Sequence, residues 1–209
     1  MYKNSEIIEL LKISYPDAQT ELNFSNPYEL LVAVILSAQC TDKRVNQVTP
    51  ALFESYPDVY AMQNAEQADV ERLIHSCGFF RNKAKNIISA CKKIVSDFGG
   101  VVPNTVETLV SLPGVGRKTA NVVFSVAFGG DAIAVDTHVF RVARRLGLSK
   151  ANTPEKVEAD LNQAIPKELW GHAHHLFIFH GRRTCHSRKP NCTECKLQDF
   201  CNYYRGKNE

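Results

Sequence analysis

Leu112-Pro113-Gly114-Val115-Gly116-Arg117-Lys118-Thr119-Ala120 is a glycine turn that opens directly into an apolar run ending at Phe128. Pro113, Gly114 and Gly116 give a tight turn whose backbone is little shielded by side chains. Arg117 to Phe128 is apolar nearly all round, which predicts a buried helix with its amino-terminal end at the turn. Unpaired N–H groups and the positive end of the helix dipole make that end a site for an anion such as a backbone phosphate. Lys118 stands there and has two readings. It is a solvated charge or phosphate contact, or it is an amine nucleophile. To attack carbon an amine must shed its proton, which the helix's positive end and Arg117 favour and neighbouring phosphates oppose. The second reading therefore needs partial burial and a proton acceptor close by.

Downstream, Gly129-Gly130 and then Val135-Asp136-Thr137-His138 supply a candidate acceptor. A helix over 117–128 rises roughly 18 Å at about 1.5 Å per residue. The eight residues from Gly129 to Asp136 span up to roughly 26 Å if extended. The chain can thus double back, with the glycine pair as the reversal and Ala132 to Val135 as an extended, buried return. Asp136 also reads as the N-cap of a helix beginning at Thr137, and one carboxylate can do both jobs. A nucleotide-triphosphatase loop is excluded by spacing: Arg117 separates Gly116 from Lys118, and no glycine stands five residues before Gly116.

Working outward, the pattern is helical almost throughout, which predicts an all-α chain. Ile7, Ile8, Leu11 and Tyr15 mark a first helix, and others are expected over 27–37, 42–56, 65–77, 154–165 and 167–180. Ala84, Ile87, Ile88, Cys91, Ile94, Val95 and Phe98 recur at three and four residues until Gly99-Gly100 stops the helix. A short helix over 106–112 is assigned Asn104 as its cap, and Thr153-Pro154 starts the penultimate helix. His138, Arg141 and Arg145 fall on one face of the helix from Thr137 to about Leu146, a cationic stripe or an ordinary solvated face. No repeat or linker-like segment is present.

Near the other end, Cys185, Cys192, Cys195 and Cys201 follow C-x6-C-x2-C-x5-C, so four of the seven cysteines fall within 17 residues. The charged start, Met-Tyr-Lys-Asn-Ser-Glu, is unlike a secretory signal, and no apolar run approaches a membrane span. A cytoplasmic setting is expected, nucleoid-associated if the source is bacterial, and there metal ligation is favoured over disulfides. The metal is structural zinc or a 4Fe-4S cluster. A single close doublet flanked by one cysteine on each side suits the cluster better than the paired doublets of zinc sites. Cys40, Cys77 and Cys91 read as core residues.

The net charge of +3 with a pI near 8.4 implies only mild affinity for polyanions. The positive charge is concentrated from Gly181 onward, where seven Lys or Arg face three acids.

Taken together, these motifs resemble the endonuclease III family of bifunctional DNA glycosylases. The likeness is carried by the helix-hairpin-helix at Leu112 to Ala120, Val135-Asp136-Thr137-His138, the cysteine pattern, Ser37-Ala38-Gln39 with Thr41-Asp42, and His180-Gly181-Arg182. The resemblance implies two helical domains. One is a six-helix domain over 22–131 that includes the hairpin at about 105–128. The other is a cluster-bearing domain formed by 1–21 and 132–209, with a DNA-binding cleft between the two. It implies removal of damaged, mainly oxidised pyrimidines from duplex DNA, with Lys118 as nucleophile and Asp136 as its acid partner. Cleavage 3′ to the abasic site follows by β-elimination. It implies one 4Fe-4S cluster on Cys185, Cys192, Cys195 and Cys201, structural and DNA-contacting. It also implies DNA contacts from Gly114, Val115, Gly116, Arg117, His138, Arg141, Arg188 and Lys189. Gln39 matches the family's plug glutamine. Phe79 stands where the family often has a leucine wedge, a departure that bears on opposite-base preference. Two other readings compete: a relative that removes adenine from mispairs, which usually lacks the hairpin lysine, and a non-catalytic hairpin module with structural zinc. A monomer is expected, since no heptad pattern appears.

Overall fold

The computed structural model describes residues 2–208, and among them there are α-helices and short 3-10 turns but no strand. In chain order the helices are α1 (Tyr2–Ser14), α2 (Pro27–Ser37), α3 (Asp42–Ser55), α4 (Val59–Gln63), α5 (Gln67–Ile74), α6 (Phe80–Phe98), α7 (Val106–Val110), α8 (Arg117–Phe128), α9 (Thr137–Leu146), α10 (Pro154–Ala164), α11 (Trp170–Arg183) and α12 (Asn202–Asn208). They divide into two compact units. Glu21–Gly130 is one, and Met1–Thr20 together with Asp131–Glu209 is the other. No helix among the described residues is long and apolar enough to cross a membrane.

In the continuous unit, α2 is the centre because its sequence is apolar on every face from Leu30 to Leu36, and all of those residues are buried. Its start is fixed by a reciprocal cap: Asn26 accepts from the Glu29 N–H at 3.0 Å, and the Glu29 carboxylate accepts from the Ser25 N–H at 2.7 Å. Pro27 needs no N–H at that position. α3, α6 and α8 pack around it, α4 and α5 lie on α6, and α7 lies on α8. α6 turns one stripe inward, from Lys83 and Ala84 through Ile87 and Cys91 to Ile94, and closes at Gly99 with φ 61°. Each fully buried Leu or Ile in such a stripe contributes about 1.5–3 kcal/mol.

Several boundaries differ from the sequence reading. The helix expected over 65–77 is the shorter α5, and the five-residue α4, capped by Asp58, precedes it. α6 starts at Phe80, before its apolar periodicity begins at Ala84. The cap of α7 is Thr105, whose hydroxyl accepts from the Thr108 N–H at 3.2 Å, and not Asn104. α8 is not buried all round: Ala120, Asn121 and Val123 are buried, while Val122, Phe124, Val126, Ala127 and Phe128 are half-buried against the same core. Its polar Thr119 and Ser125 interrupt the apolar surface that full burial would require.

In the split unit, α9 lies among α10, α11 and α12, and α1 packs on α11. Val139, Val142, Ala143 and Leu146 of α9 join Ile7, Ile8 and Leu11 of α1 and Leu176 and Phe177 of α11 in one core. Ala132 to Val135 is buried and non-helical, as the doubling-back argument requires, and the His174 ring Nδ1 bonds the Ala134 carbonyl at 2.7 Å. The sequence pattern does not mark α12. Its seven residues, mostly polar, carry too little periodicity to register.

Candidate active site and cysteine centre

At the hairpin, the Val115 N–H bonds the Leu112 carbonyl at 3.1 Å, closing the turn, and the Ala120 N–H bonds Gly116 at 2.9 Å, opening α8. Gly114 has φ 76°, and a Cβ there would sit 2.7 Å from the Asn86 Cβ on α6, so a side chain is excluded twice over. Gly116 is the N-cap and offers no capping side chain. The first turn of α8 thus keeps the anion-attracting character that a Ser or Asp cap would have quenched. Val115 is buried and anchors the turn, while Arg117 and Lys118 are exposed on that first turn.

Two loops of the same unit carry Gln39 and Phe79. Both side chains are exposed, Phe79 at 66%, and both backbones are left-handed, with φ 52° and 58°. Non-glycine residues in this region cost about 1–2 kcal/mol each, so the surrounding structure must hold them there. A buried lysine lies close by. Lys83 is 5% exposed and donates from Nζ to the Leu36 carbonyl at 2.8 Å, near the end of α2. Burial holds its pKa below the usual lysine range. Sequence reading missed Lys83. A lysine at the start of an amphipathic helix looks solvent-facing, and only its place on the buried stripe with Ala84 and Ile87 could have flagged it.

In the split unit, Asp136 is half-buried and caps α9, accepting from the N–H groups of His138 and Val139, each at 2.8 Å. Both bonds end on Oδ1, which leaves Oδ2 outside the cap. His138 follows it, with its ring Nδ1 3.1 Å from an Arg141 nitrogen, and burial pushes its imidazole below the ordinary range. A Cβ on Gly181 would come within 2.9 Å of the His138 ring, so the Gly of His180-Gly181-Arg182 is what lets α11 approach α9.

The arginines of the α9 stripe are engaged with protein. Arg141 donates to the carbonyls of Cys185 at 3.1 Å and Gly181 at 3.0 Å. Arg145 donates to His186 at 2.7 Å, to Ser187 at 3.0 Å and to the Cys185 sulfur at 3.3 Å, with its guanidinium 4.3 Å from the Tyr203 ring centre. They staple the cysteine loop to α9. Arg188 and Lys189, at the tip of that loop, are exposed, and Lys189 has φ 51°.

Cys185, Cys192, Cys195 and Cys201 line one pocket with Arg145 and His180. The Leu197 N–H reaches the Cys195 sulfur at 3.4 Å, and Gln198 ties the turn by donating to Cys192 at 2.6 Å and Thr193 at 3.0 Å. Tyr15 bonds His180 Nδ1 at 2.9 Å and Thr184 at 2.6 Å, and His180 Nε2 lies 3.9 Å from the Cys195 sulfur. Burial, with the neighbouring thiols adding, raises the Cys195 and Cys201 thiols. Four thiols facing one cavity need a cation to become thiolates together. Yet among the described residues no three His, Cys, Asp or Glu converge closely enough to hold one metal ion. The donor set is soft and all sulfur, the chemistry that suits zinc or an iron–sulfur group.

Residues 32–167 match the family described as HhH-GPD superfamily base excision DNA repair protein. The chain is 54% identical over 198 residues to endonuclease III of Synechocystis, covering 94% of this chain and 90% of that one. The chain belongs to the endonuclease III family. A solved structure of a trapped endonuclease III–DNA covalent intermediate superimposes with a TM-score of 0.91 at 45% identity, covering 99% of each chain. A non-covalent endonuclease III–DNA complex superimposes with the same TM-score at 44% identity, over 99% of this chain and 98% of that one. This endonuclease III family chain is all-helical, as the resemblance implied. The hairpin, Gln39 and Phe79 lie together in one unit, and Asp136, His138, Arg141 and the four cysteines in the other.

Proposed function

We propose that this endonuclease III family protein binds duplex DNA, removes damaged, mainly oxidised, pyrimidines and then nicks the strand, with Lys118 as the nucleophile. The observation that carries the reading is the hairpin. An exposed lysine stands on the uncapped first turn of α8, behind a turn that glycine alone can make, in a chain similar to one solved as a trapped covalent complex with DNA. The backbone of Gly114, Val115 and Gly116 and the side chain of Arg117 meet phosphates. The damaged nucleotide is flipped out, and Gln39 and Phe79 fill and wedge the gap.

The neutral amine of Lys118 attacks the sugar C1′ and the base leaves, taking a proton from water, while the Asp136 carboxylate stabilises positive charge on the sugar. Asp136 then takes the proton of the new ammonium and passes it to the ring oxygen. Ring opening gives an imine between Lys118 and the deoxyribose, which acidifies the C2′ hydrogen. Loss of that proton expels the 3′ phosphate, and water then releases the amine. The use of only Oδ1 in the α9 cap supports this second task for Asp136.

Cys185, Cys192, Cys195 and Cys201 would hold a 4Fe-4S cluster, which would supply a cross-link fixing the 185–201 loop, whose exposed Arg188 and Lys189 meet phosphate. His138 and Arg141 position the cap and the loop beside it.

Borohydride trapping on duplex DNA carrying an abasic site tests the reading. A covalent adduct is expected from the parent protein and none from Lys118→Ala. An alanine variant that traps as well as the parent would overturn the assignment. A colourless, iron-free protein that keeps its fold would overturn the cluster.

A further inference from the structure

The end of α2 and the turn after α5 bring a second set of nucleophiles together, apart from the hairpin lysine and the four loop cysteines. Cys40 is half-buried and follows Gln39. Cys77 is fully buried and precedes Gly78-Phe79. Each closes a turn, the Cys40 N–H on the Ser37 carbonyl at 3.1 Å and the Cys77 N–H on Ile74 at 2.8 Å. The two loops abut, since a Cβ on Gly78 would stand 3.6 Å from the Gln39 carbonyl oxygen. The Cys77 thiol neighbours the Cys40 sulfur, and both are free thiols. Beneath them sits the buried Lys83, held by the Leu36 carbonyl at 2.8 Å. Both sulfurs lie near enough to act on that ammonium.

We infer that Cys40 and Cys77 form a dithiol that closes to a disulfide under the Gln39 and Phe79 loops and lowers affinity for duplex DNA when closed. The inference rests on the reading above that those two residues face DNA. Burial and the Cys40 neighbour push the Cys77 thiol up to about 11, so the accessible Cys40 reacts first and Cys77 resolves. The oxidant is a small disulfide of the glutathione class. The Cys40 thiolate attacks one of its sulfurs and expels a thiol, leaving a mixed disulfide. The Cys77 sulfur then attacks the Cys40 sulfur and expels the second thiol, which takes the Cys77 proton. Two protein thiols are oxidised and one small disulfide is reduced to two thiols. The new bond ties loops whose left-handed residues have no slack. Phe79 also anchors α6 through the Lys83 N–H on its carbonyl at 3.1 Å, so the tie is felt at the exposed aromatic.

The test uses the purified full chain with its metal bound, treated with oxidised glutathione while visible absorbance is followed. Digestion without reductant should yield one peptide pair joined at Cys40 and Cys77. Affinity for a duplex with a stable abasic analogue should fall about tenfold, the scale of losing one wedge's share of an unstacked step. Dithiothreitol should reverse both changes. Cys40→Ser and Cys77→Ala should each remove the joined peptide and the loss of affinity while binding like the reduced parent. A mixed disulfide that stays on Cys40, or a joined pair with unchanged affinity, would overturn the inference. A reduced parent that ignores the duplex counts against the DNA-facing reading alone, because the joined peptide is scored without DNA.

Discussion

The hairpin before α8 and the cysteine loop beside α9 use the same cationic residue types in opposite ways. At the hairpin, Arg117 and Lys118 are exposed on a helix start that has no side-chain cap. At the loop, Arg141 and Arg145 turn inward and donate to the carbonyls of Gly181, Cys185, His186 and Ser187. One region exposes its charge, and the other uses charge to hold itself in shape. Mutations in the first should therefore cost activity and not stability, and mutations in the second should cost stability first.

The widest separation is expected from Lys118→Ala. Removing the nucleophile should slow strand cleavage at an abasic site on the order of 10⁴-fold or more. The unfolding free energy should move by less than about 0.5 kcal/mol, as for an exposed surface residue. Cleavage rates and denaturant melts of the same preparation check both numbers. A large stability loss would break the contrast at its strongest point. Cys201→Ala is the mirror experiment. Iron content and visible absorbance should drop, and stability should fall by several kcal/mol because the proposed metal centre supplies folding energy. Hydrogen exchange should rise over 184–201 while amides of 117–128 stay protected.

Acid should find the same boundary. Burial pushes His175 of α11 down to about 3, with His174 and His172 adding to the effect. It is neutral in the native protein, while the unfolded chain takes up its proton below about 6.5. Its contribution is thus complete above pH 6.5 and is lost as the pH falls toward 3, at no more than about 1.4 kcal/mol per pH unit. His175→Phe should flatten that limb by up to one proton, read as the slope of stability against pH. The loss belongs to the unit that contains α11. The continuous unit's only histidine, His75, is exposed.

The sequence made the hairpin legible because each of its needs is met by a residue type with few other uses there: a left-handed glycine at 114, an uncapped start at 116, a cation at 118. The capping role of Asp136 and the ends of α2, α8 and α10 were legible for the same reason. What escaped was set by packing between distant segments. Arg141 and Arg145 sit at helical spacing with His138 and look like an exposed stripe. Their true partners lie about 40 residues on, where no local pattern points. Lys83 likewise draws its meaning from Leu36, 47 positions away. α4 and α12 are too short for periodicity, and tertiary contacts alone select them.

Arg145 and Arg188 provide the finest test, since both are arginines of the basic carboxy-terminal half and a composition argument would treat them alike. Arg145→Ala removes two donors to loop carbonyls, the contact with the Cys185 sulfur and the stack on Tyr203. Each charged hydrogen bond contributes about 1.5–3 kcal/mol, and the bonds share one side chain, so a loss of about 2–4 kcal/mol is expected. Arg188 is exposed at the loop tip, and its alanine variant should leave stability unchanged within about 0.5 kcal/mol. Its effect should appear in binding, where losing one phosphate contact lowers the slope of log affinity against log salt by about 0.9. Salt titrations and melts on the two variants give four numbers with a fixed pattern. If Arg145→Ala instead changed the salt slope and left the melt alone, the inward arginines would be ligand contacts and the division between the two regions would fail.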